Sequence, residues 1–377
     1  MNPMTTSRPV PFFNYPRLFA DDKTEFLRII EDVGARGAFI FQQDLKDFES
    51  ALAAYTGAKH AMGVANATDG LELAWLAIGL RPGDEVICSA HTMLATAAAI
   101  VTAGGKPVPV DIGSDNLIDP DAVAAAITPH TVGIMPTQLN GRTCDMDRLG
   151  AIVKGKGLFM VEDAAQALGS RFKGQHAGTF GQAAAISFFP AKVLGCLGDG
   201  GGVITGSDHL LDRMWQLHDH GRDQQGEVRS WGRNSRLDNL QAALLNFKLK
   251  SYDVVIARRR AIAARYQSLL GDMPELQLPP APDADPRHFD IYQNYELQAD
   301  RRDELKEHLK ARQIGTLIQW GGKAIHQWER LGFTCRLPAV ERFFTRCIML
   351  PMNMFITDAD VDHVASAIRA FYGRPGK

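Results

Sequence analysis

The chain has 377 residues, of which 45% are hydrophobic and 22% charged, so it is long enough for a large core and two or three structural units. Its 41 Lys and Arg nearly balance 43 Asp and Glu and form no basic run, which argues against a nucleic acid or an anionic membrane as a partner. Five scattered cysteines without a CxxC pair, and an N-terminus without a signal-peptide pattern, indicate a cytoplasmic protein with no disulfide framework and no metal site.

Between residues 60 and 205, short apolar runs alternate with helical stretches. We predict strands at His60–Asn66, Glu85–Cys88, Lys106–Ile112, Thr131–Gln138, Leu158–Glu162, Ala183–Phe188 and Gly202–Thr205. We predict helices at Asp69–Leu80, His91–Gly104, Asp119–Ile127 and Met146–Val153. This alternation, with continuous apolar strands, predicts an α/β fold whose mostly parallel sheet is sandwiched by helices.

The pattern changes after residue 250. Ile256–Leu270 predicts an amphipathic helix with a basic face, which we interpret as solvated. The proline-rich stretch 278–286 predicts a loop, and Ala359–Tyr372 predicts a terminal helix. We therefore expect a large domain at residues 1–250, with the N-terminal segment packed on it, and a small α+β domain at residues 251–377.

Four motifs contain candidate functional residues. The first is the turn Asn66–Leu71, between a strand and a helix. Backbone N–H groups at a helix start, together with the helix dipole, bind phosphate well. Thr68 can add a hydroxyl, whereas Asp69 can add only its amide because its carboxylate would repel a phosphate dianion. A helix N-cap without any ligand accounts for the same residues.

The second motif is Val161–Gln166, where an apolar strand ends in two acids followed by small residues. Ligands of open parallel sheets lie outside the carboxyl ends of the strands. There, Asp163 can pair with the protonated pyridine nitrogen of pyridoxal 5′-phosphate (PLP), and Gln166 can reach the ring hydroxyl. A strand-end aspartate that caps the next helix explains the sequence equally well.

The third motif, Ser187–Gly202, contains Lys192 in an apolar and glycine-rich stretch beside a proline. A desolvated lysine in such a place is a candidate nucleophile. The glycines allow the backbone to approach a bound cofactor, and Ser187 can supply a second hydroxyl to a phosphate. The alternative is a lysine on a flexible surface loop, which the neighbouring Phe188 and Phe189 disfavour.

The fourth motif is Asn234–Ala243. It predicts a capped helix start in which Ser235 is the N-cap and Asp238 lies three residues later. Asn234 or Arg236 can reach a phosphate, although capping alone explains the pattern.

The chain resembles the nucleotide-sugar aminotransferases of the DegT/DnrJ/StrS type in three motifs and their order: EDAAQA, SFFPxKxLGxxGDGG and NSRLDxLQAA. The likeness extends over most of the chain, from residues 37–49 through 83–87 to 350–353. It implies the aspartate-aminotransferase-like fold (PLP-dependent transferase fold type I) and a homodimer with each active site at the subunit interface. The implied cofactor-binding residues are Lys192 as the Schiff-base lysine, Asp163 at the pyridine nitrogen, Gln166 at the ring hydroxyl, Thr68, Asp69 and Ser187 at the phosphate, and Asn234 from the neighbouring subunit at the same phosphate.

The resemblance also implies a two-stage transamination that makes an amino sugar. L-glutamate, the typical donor, gives its amino group to PLP, and the keto group of a nucleotide-linked sugar then receives it. Lys192 would move the proton between the amino-bearing carbon of the donor and the cofactor. A keto-cyclitol acceptor is one alternative and a non-catalytic regulatory protein is another, although the presence of both Lys192 and Asp163 argues against the second.

Two regions depart from the family pattern. Where many relatives carry an aromatic residue against the pyridine ring, this chain has Met93, with His91 as the alternative stacking residue. In the C-terminal part, the segment 318–327 lacks a proline that often precedes a histidine in relatives. The expected substrate-binding residues are Trp320, Lys323 and His326 in that segment, and His220, Arg222 and Arg229 in a loop expected to be mobile. A packed tryptophan and solvated loop arginines explain the same residues.

Overall fold

A computed structural model describes residues 8–374 of the chain, and within them thirteen α-helices and thirteen strands are defined. The helices are α1 Tyr15–Asp21, α2 Lys23–Arg36, α3 Gln43–Thr56, α4 Ala67–Ile78, α5 Leu94–Thr102, α6 Pro120–Ala125, α7 Met146–Lys156, α8 Asp208–His218, α9 Asn239–Leu249, α10 Tyr252–Leu270, α11 Arg302–Lys310, α12 Pro338–Arg346 and α13 Asp358–Phe371. The strands are β1 His60–Val64, β2 Glu85–Ser89, β3 Lys106–Val110, β4 Thr131–Met135, β5 Phe159–Asp163, β6 Arg171–Phe172, β7 Gln175–His176, β8 Ala183–Ser187, β9 Gly201–Thr205, β10 Leu276–Gln277, β11 His288–Phe289, β12 Tyr295–Ala299 and β13 Cys347–Leu350.

The central sheet has seven strands in the order β1-β9-β8-β5-β4-β2-β3. The five strands from β8 to β3 are parallel, and β9 runs antiparallel to both of its neighbours. The predicted mostly parallel sheet is therefore confirmed, with strand bounds within three residues of the prediction. Because β1, β5 and β8 run in the same direction, they end at one edge of the sheet, at Val64, Asp163 and Ser187.

Helices cover both faces of this sheet, as the continuous apolar strands predict. Ala183 and Ala185 of β8 pack with α4, α5 and α8, whereas Ala184 and Ile186 pack with α3 and α9. This alternation follows from the two-residue period of a strand. Trp75 of α4 is fully buried, and the strands that end at the carboxyl edge are packed on both faces.

A second sheet, β10-β12-β13, is antiparallel and lies in the C-terminal part of the chain. With α10, α11 and α13 it encloses a separate core that includes Tyr266, Tyr295 and Leu305. A third, small sheet joins β11 to the β6–β7 hairpin. The sequence did not indicate this sheet because strands of two residues carry no alternation signal.

The N-terminal segment divides between the two cores. Val10 is buried in the C-terminal core and forms a parallel bridge with Ile314. Phe26 of α2, in contrast, packs against Leu244 of α9. The N-terminal segment, which we expected to pack on the large domain, thus has Val10 hydrogen-bonded to the C-terminal part and α2 packed on α9.

The basic face predicted for α10 is not a solvated face. Arg259 is buried, and the neighbouring arginines are used in ion pairs: Arg258 with Asp358, Arg260 with Asp283 and Arg265 with Asp362. That interpretation was wrong because the partners come from distant segments, which periodicity along one helix cannot reveal. Among residues 8–374, no helix combines the length and apolarity needed to cross a membrane.

Candidate active site

A cavity of about 590 Å³ opens at the carboxyl edge of the central sheet, within the size range of small-molecule sites. Eight of the sequence-predicted residues line it: Thr68, Asp69, Met93, Asp163, Gln166, Ser187, Lys192 and Trp320. The first seven lie at or just after the ends of sheet strands. The topology therefore brings the predicted cofactor residues of one chain together.

The start of α4 forms one end of the cavity. Asn66 Oδ1 accepts the amide hydrogen of Asp69 at 2.9 Å, so Asn66 is the N-cap. The Asp69 amide, which we expected to face a phosphate, is thus already used, and the amides of Ala67 and Thr68 have no partner inside the helix. Gly201 allows close packing here, because a Cβ would lie 2.5 Å from the Asn66 carbonyl carbon.

Lys192 lies on a turn that follows β8. Its amide N–H donates to the Phe189 carbonyl at 2.8 Å, and the neighbouring Phe188 is fully buried. Burial lowers the pKa of Lys192 to about 8, and the negative charge of Asp163 only partly opposes this. A lysine with such a pKa is partly neutral near physiological pH, as a nucleophile requires.

The carboxylate of Asp163 ends a chain of three buried hydroxyls. Its Oδ2 accepts from Thr96 Oγ1 at 2.6 Å, Thr96 lies 2.6 Å from Thr92, and Thr92 lies 2.8 Å from Thr137. Its Oδ1 accepts the Ala165 amide hydrogen at 3.2 Å. Burial raises the pKa of Asp163, and these hydrogen bonds oppose that rise by stabilising the ionised form.

Gln166 meets the cavity with its amide group. Its Oε1 accepts the Asn140 amide hydrogen at 2.9 Å and lies 3.4 Å from Asn294 Nδ2. Because the oxygen is used in this way, the NH₂ group is the part of Gln166 that can donate to a ligand.

The two candidates for the ring-stacking position lie in different environments. Met93 lines the cavity and is 55% exposed, whereas His91 is buried outside the cavity wall. His91 Nδ1 lies 2.8 Å from the Asn116 carbonyl, and its ring packs against Trp320 and Phe343. The geometry therefore leaves Met93 as the candidate.

In the segment expected to meet the substrate, Trp320 faces the cavity but Lys323 and His326 do not. The Lys323 ammonium lies 5.1 Å from the centre of the Trp328 ring. His326 is buried, with Nε2 at 3.2 Å from Glu341 Oε1. His326, which we expected to bind substrate, is therefore enclosed in the protein and does not line this cavity.

His220, Arg222 and Arg229 lie between α8 and α9, outside the cavity of their own chain. Arg229 Nε lies 2.7 Å from Asp223 Oδ2. This segment closes tightly at Gly221, where a Cβ would lie 1.7 Å from the Ser230 carbonyl oxygen.

The fourth motif is arranged differently from the prediction. The helix begins at Asn239 after Asp238, so Ser235 is not its N-cap. Ser235 Oγ instead accepts the Ala65 amide hydrogen at 3.3 Å, which ties this segment to the end of β1. Asn234 forms a backbone bridge with Asp219 and does not line the cavity of its own chain, and Arg236 Nη1 lies 3.3 Å from Asp219 Oδ1.

The sequence did not indicate several residues that hydrogen-bond the site residues or their backbone. Thr96 and Thr137 were hidden because single threonines in apolar segments carry no signal of their own. Asn140, which has a left-handed φ of 55°, and Gln293 were missed because their partners are far away in sequence. For Thr92, the one indication of a place near the site was that it directly precedes Met93, the candidate ring-stacking residue.

Comparison with known proteins identifies a family. A model of the DegT/DnrJ/EryC1/StrS aminotransferase family matches residues 20–369. A dTDP-3-amino-3,4,6-trideoxy-alpha-D-glucose transaminase from Streptomyces venezuelae is 37% identical over 97% of each chain. A protein from Geobacillus stearothermophilus named "pleiotropic regulatory protein" is 37% identical over 96% of this chain and 98% of that protein. A UDP-2-acetamido-2-deoxy-3-oxo-D-glucuronate aminotransferase from Pseudomonas aeruginosa is 34% identical over 93% of this chain and 99% of that enzyme.

Solved structures agree with this likeness. The crystal structure of DesV from S. venezuelae in complex with a ketimine intermediate has a TM-score of 0.93 and 36% identity, covering 98% of this chain and 100% of that chain. NtdA from Bacillus subtilis with the bound cofactor PMP has a TM-score of 0.87 and 27% identity, covering 96% and 85% of the two chains. The fold implied by the sequence resemblance is confirmed.

Proposed function

The chain belongs to the DegT/DnrJ/EryC1/StrS aminotransferase family, and from this premise we propose that it is a PLP enzyme that transfers the amino group of L-glutamate to the keto carbon of a nucleotide-linked sugar. The product is an amino sugar. The observation that carries the proposal is the shared cavity of Lys192, whose pKa is lowered to about 8, and the buried carboxylate of Asp163. An amine that reacts with an aldehyde and an anion that holds a protonated pyridine nitrogen are the two groups this chemistry needs.

The cavity residues fit PLP. Lys192 would bind the aldehyde carbon, Asp163 would pair with the pyridine nitrogen, and the Gln166 NH₂ group would donate to the ring hydroxyl. Met93 would pack on the ring. The phosphate would lie at the α4 start, where Thr68, Ser187 and the amides left without helix partners supply donors.

The chain's residues would then divide the work. Bound PLP supplies an electron sink for the carbon that carries the amino group. The Lys192 amine takes the proton from that carbon of the donor and delivers a proton to the former keto carbon of the acceptor. Asp163 would hold the proton on the pyridine nitrogen, because the hydrogen bond from Thr96, which is itself bonded to Thr92 and through it to Thr137, stabilises the charge of the carboxylate.

We further propose a homodimer with each active site at the subunit interface. Asn234 lies outside the cavity of its own chain, so it would reach the phosphate in the neighbouring subunit. His220, Arg222 and Arg229 would approach the substrate in the same way. Trp231 on that segment is 96% exposed and Phe189 at the cavity is 48% exposed, which supports burial of both by a second subunit.

We also propose that residues 1–250 and 251–377 are the large and small domains. The two cores support this division, and α10 joins them: Ile256 packs in the first core and Tyr266 in the second. The five free cysteines support a reducing compartment, and we propose the cytoplasm as the location.

An acceptor panel tests the proposed function. Purified protein with PLP and L-glutamate is offered dTDP- and UDP-linked 3-keto and 4-keto sugars, the same sugars without a nucleotide, and keto-cyclitols. We expect one nucleotide-linked keto sugar to be aminated at least about 100-fold faster than its free counterpart, measured by mass spectrometry of the product. Amination of a keto-cyclitol alone would show that the acceptor is a cyclitol and not a nucleotide-linked sugar. No amination of any acceptor, with no release of 2-oxoglutarate, would favour a regulatory protein.

A further inference from the structure

Gln293 connects the segment before β12 to the backbone on both sides of Lys192. Its Nε2 donates to the Ala191 carbonyl at 2.9 Å, and its Oε1 accepts the Val193 amide hydrogen at 3.0 Å. Gln293 is buried. One side chain therefore satisfies the two peptide groups that flank the lysine, and it does so from a segment about 100 residues away in sequence.

The backbone that carries Gln293 is held in a costly conformation. Tyr292 has a left-handed φ of 53°, which is unfavourable for an aromatic residue. Arg259 donates from Nε to the Tyr292 carbonyl at 2.8 Å and from Nη2 to the Gln293 carbonyl at 2.6 Å. Burial lowers the pKa of Arg259 to about 10. A left-handed residue and a buried guanidinium persist together only where surrounding contacts require that geometry.

The next residue, Asn294, reaches a different part of the site. Its Nδ2 donates to Asn140 Oδ1 at 2.8 Å and lies 3.4 Å from Gln166 Oε1. The Asn140 amide donates to the same Gln166 oxygen at 2.9 Å. Asn294 and Asn140 together leave Gln166 with its NH₂ group as the donor for the cavity.

We infer that Gln293 and Asn294 are positioning residues that set Lys192 and Gln166 in fixed relative places. The inference rests on the proposed function, because that function gives Lys192 and Gln166 their roles. Lys192 comes after β8 and Gln166 after β5, so each follows its own strand and turn. Two adjacent side chains of one segment therefore connect those two turns by hydrogen bonds, which would limit their independent movement. Small displacements of reacting groups are costly, and this contact limits them.

Hydrogen–deuterium exchange and cofactor spectra of variants test the inference. Gln293→Leu removes both hydrogen bonds, and Gln293→Glu keeps the acceptor for Val193 but loses the donor to Ala191. Gln298→Leu is the matched control: Gln298 is a buried glutamine of β12 whose Nε2 bonds Gln277. Thermal melts establish that each variant is folded, and Gln293→Glu serves if the leucine variant does not fold.

For Gln293→Leu we expect the Val193 amide to exchange at least about tenfold faster, with or without PLP. The glutamate half-reaction should slow about tenfold while the apparent glutamate affinity changes less than about threefold. The midpoint of the pH titration of the visible PLP band should shift. In Val193 exchange, Gln293→Glu should lie between wild type and Gln293→Leu because it keeps the acceptor, and Gln298→Leu should match wild type in all three measurements.

Folded Gln293 variants that match wild type in Val193 exchange, or that match Gln298→Leu in all three measurements, would overturn the inference. A wild-type protein that forms no PLP band would instead overturn the proposed function. In that case the exchange rates of the cofactor-free proteins still decide whether Gln293 holds the Lys192 turn.

Discussion

The cofactor side of the cavity and the segments expected to meet the substrate differ in how their polar side chains are placed. Asp163 ends strand β5, Lys192 lies on the turn that follows β8, and both line the cavity of their own chain. Arg229 and His326 lie in irregular segments and pair with Asp223 and Glu341 outside it. A parallel sheet delivers its strand-end side chains to one edge, whereas the direction of a loop side chain depends on distant contacts. Cofactor roles are therefore easier to assign from one chain than substrate roles.

The largest effect is predicted for Asp163, and its neighbour Glu162, a second buried carboxylate on the cofactor side, provides the comparison. Asp163→Asn keeps the shape but removes the charge that would hold the pyridine nitrogen. We expect the glutamate half-reaction, measured by stopped-flow absorbance, to slow about 10²- to 10³-fold, with little change in the thermal midpoint.

Glu162→Gln is the matched control. Glu162 is fully buried and accepts hydrogen bonds from Gln138 and from the amides of Gly178, Phe180 and Gly181. Replacing an acceptor by an amide would cost about 1–3 kcal/mol of unfolding free energy, with a small direct effect on the half-reaction. An Asp163→Asn variant as active as wild type would remove the assigned role.

The second prediction concerns the pH dependence of PLP uptake by the cofactor-free protein. Only the neutral amine of Lys192 reacts, and with a pKa of about 8 roughly a tenth of it is neutral at pH 7. The rate of band formation should rise about tenfold from pH 6 to pH 7 and level off above pH 8. An ordinary lysine would continue to rise to pH 10.

The same shift has a consequence for stability. The folded pKa of Lys192 lies below its ordinary value of 10.5, so the unfolded chain binds more protons between about pH 8 and pH 10.5. The contribution of Lys192 to the unfolding free energy therefore increases with pH in that window, and Lys192→Met should abolish this increment. A rate that does not level off near pH 8 would contradict the lowered pKa.

The third prediction addresses the substrate side. Trp320 lines the cavity, so Trp320→Leu should raise the KM for the acceptor sugar about tenfold and leave the glutamate half-reaction within about twofold. Trp328→Leu is the control, because Trp328 is 40% exposed and contacts Lys323 outside the cavity. Equal effects of the two variants would show that Trp320 only packs against its neighbours.

The smallest effect is predicted for the hydroxyl chain behind Asp163. Thr96→Val removes the hydrogen bond to the carboxylate and should slow the half-reaction about threefold to tenfold, because the pKa of Asp163 rises further. Thr102→Val removes a threonine hydroxyl of the same helix that bonds the Ala98 and Ala99 carbonyls of that helix, and should have no effect. If both variants behave alike, the hydroxyl chain does not tune Asp163.

The order and kind of the central elements could be predicted from sequence because buried parallel strands are continuous apolar runs. The motifs around Asp163 and Lys192 could be found for the same reason: each follows such a run. Ser235 was assigned the wrong role because its partner, the Ala65 amide, is distant in sequence. The burial of His326 and Arg259 could not be predicted, because a polar residue type does not reveal burial. Gln293 has no local signal, since its hydrogen bonds cross between two separate parts of the fold.

The most direct test of the central claim is the visible absorbance of the purified protein with PLP, before and after L-glutamate, with Lys192→Ala alongside. We expect a yellow band in wild type that is lost on adding glutamate, and no lysine-bound band in Lys192→Ala. Lys310→Ala, which removes an exposed lysine of α11 that does not line the cavity, should behave as wild type. A wild-type protein that takes up no PLP, or a Lys192→Ala variant that responds to glutamate as wild type does, would contradict the assignment of Lys192 as the reactive lysine.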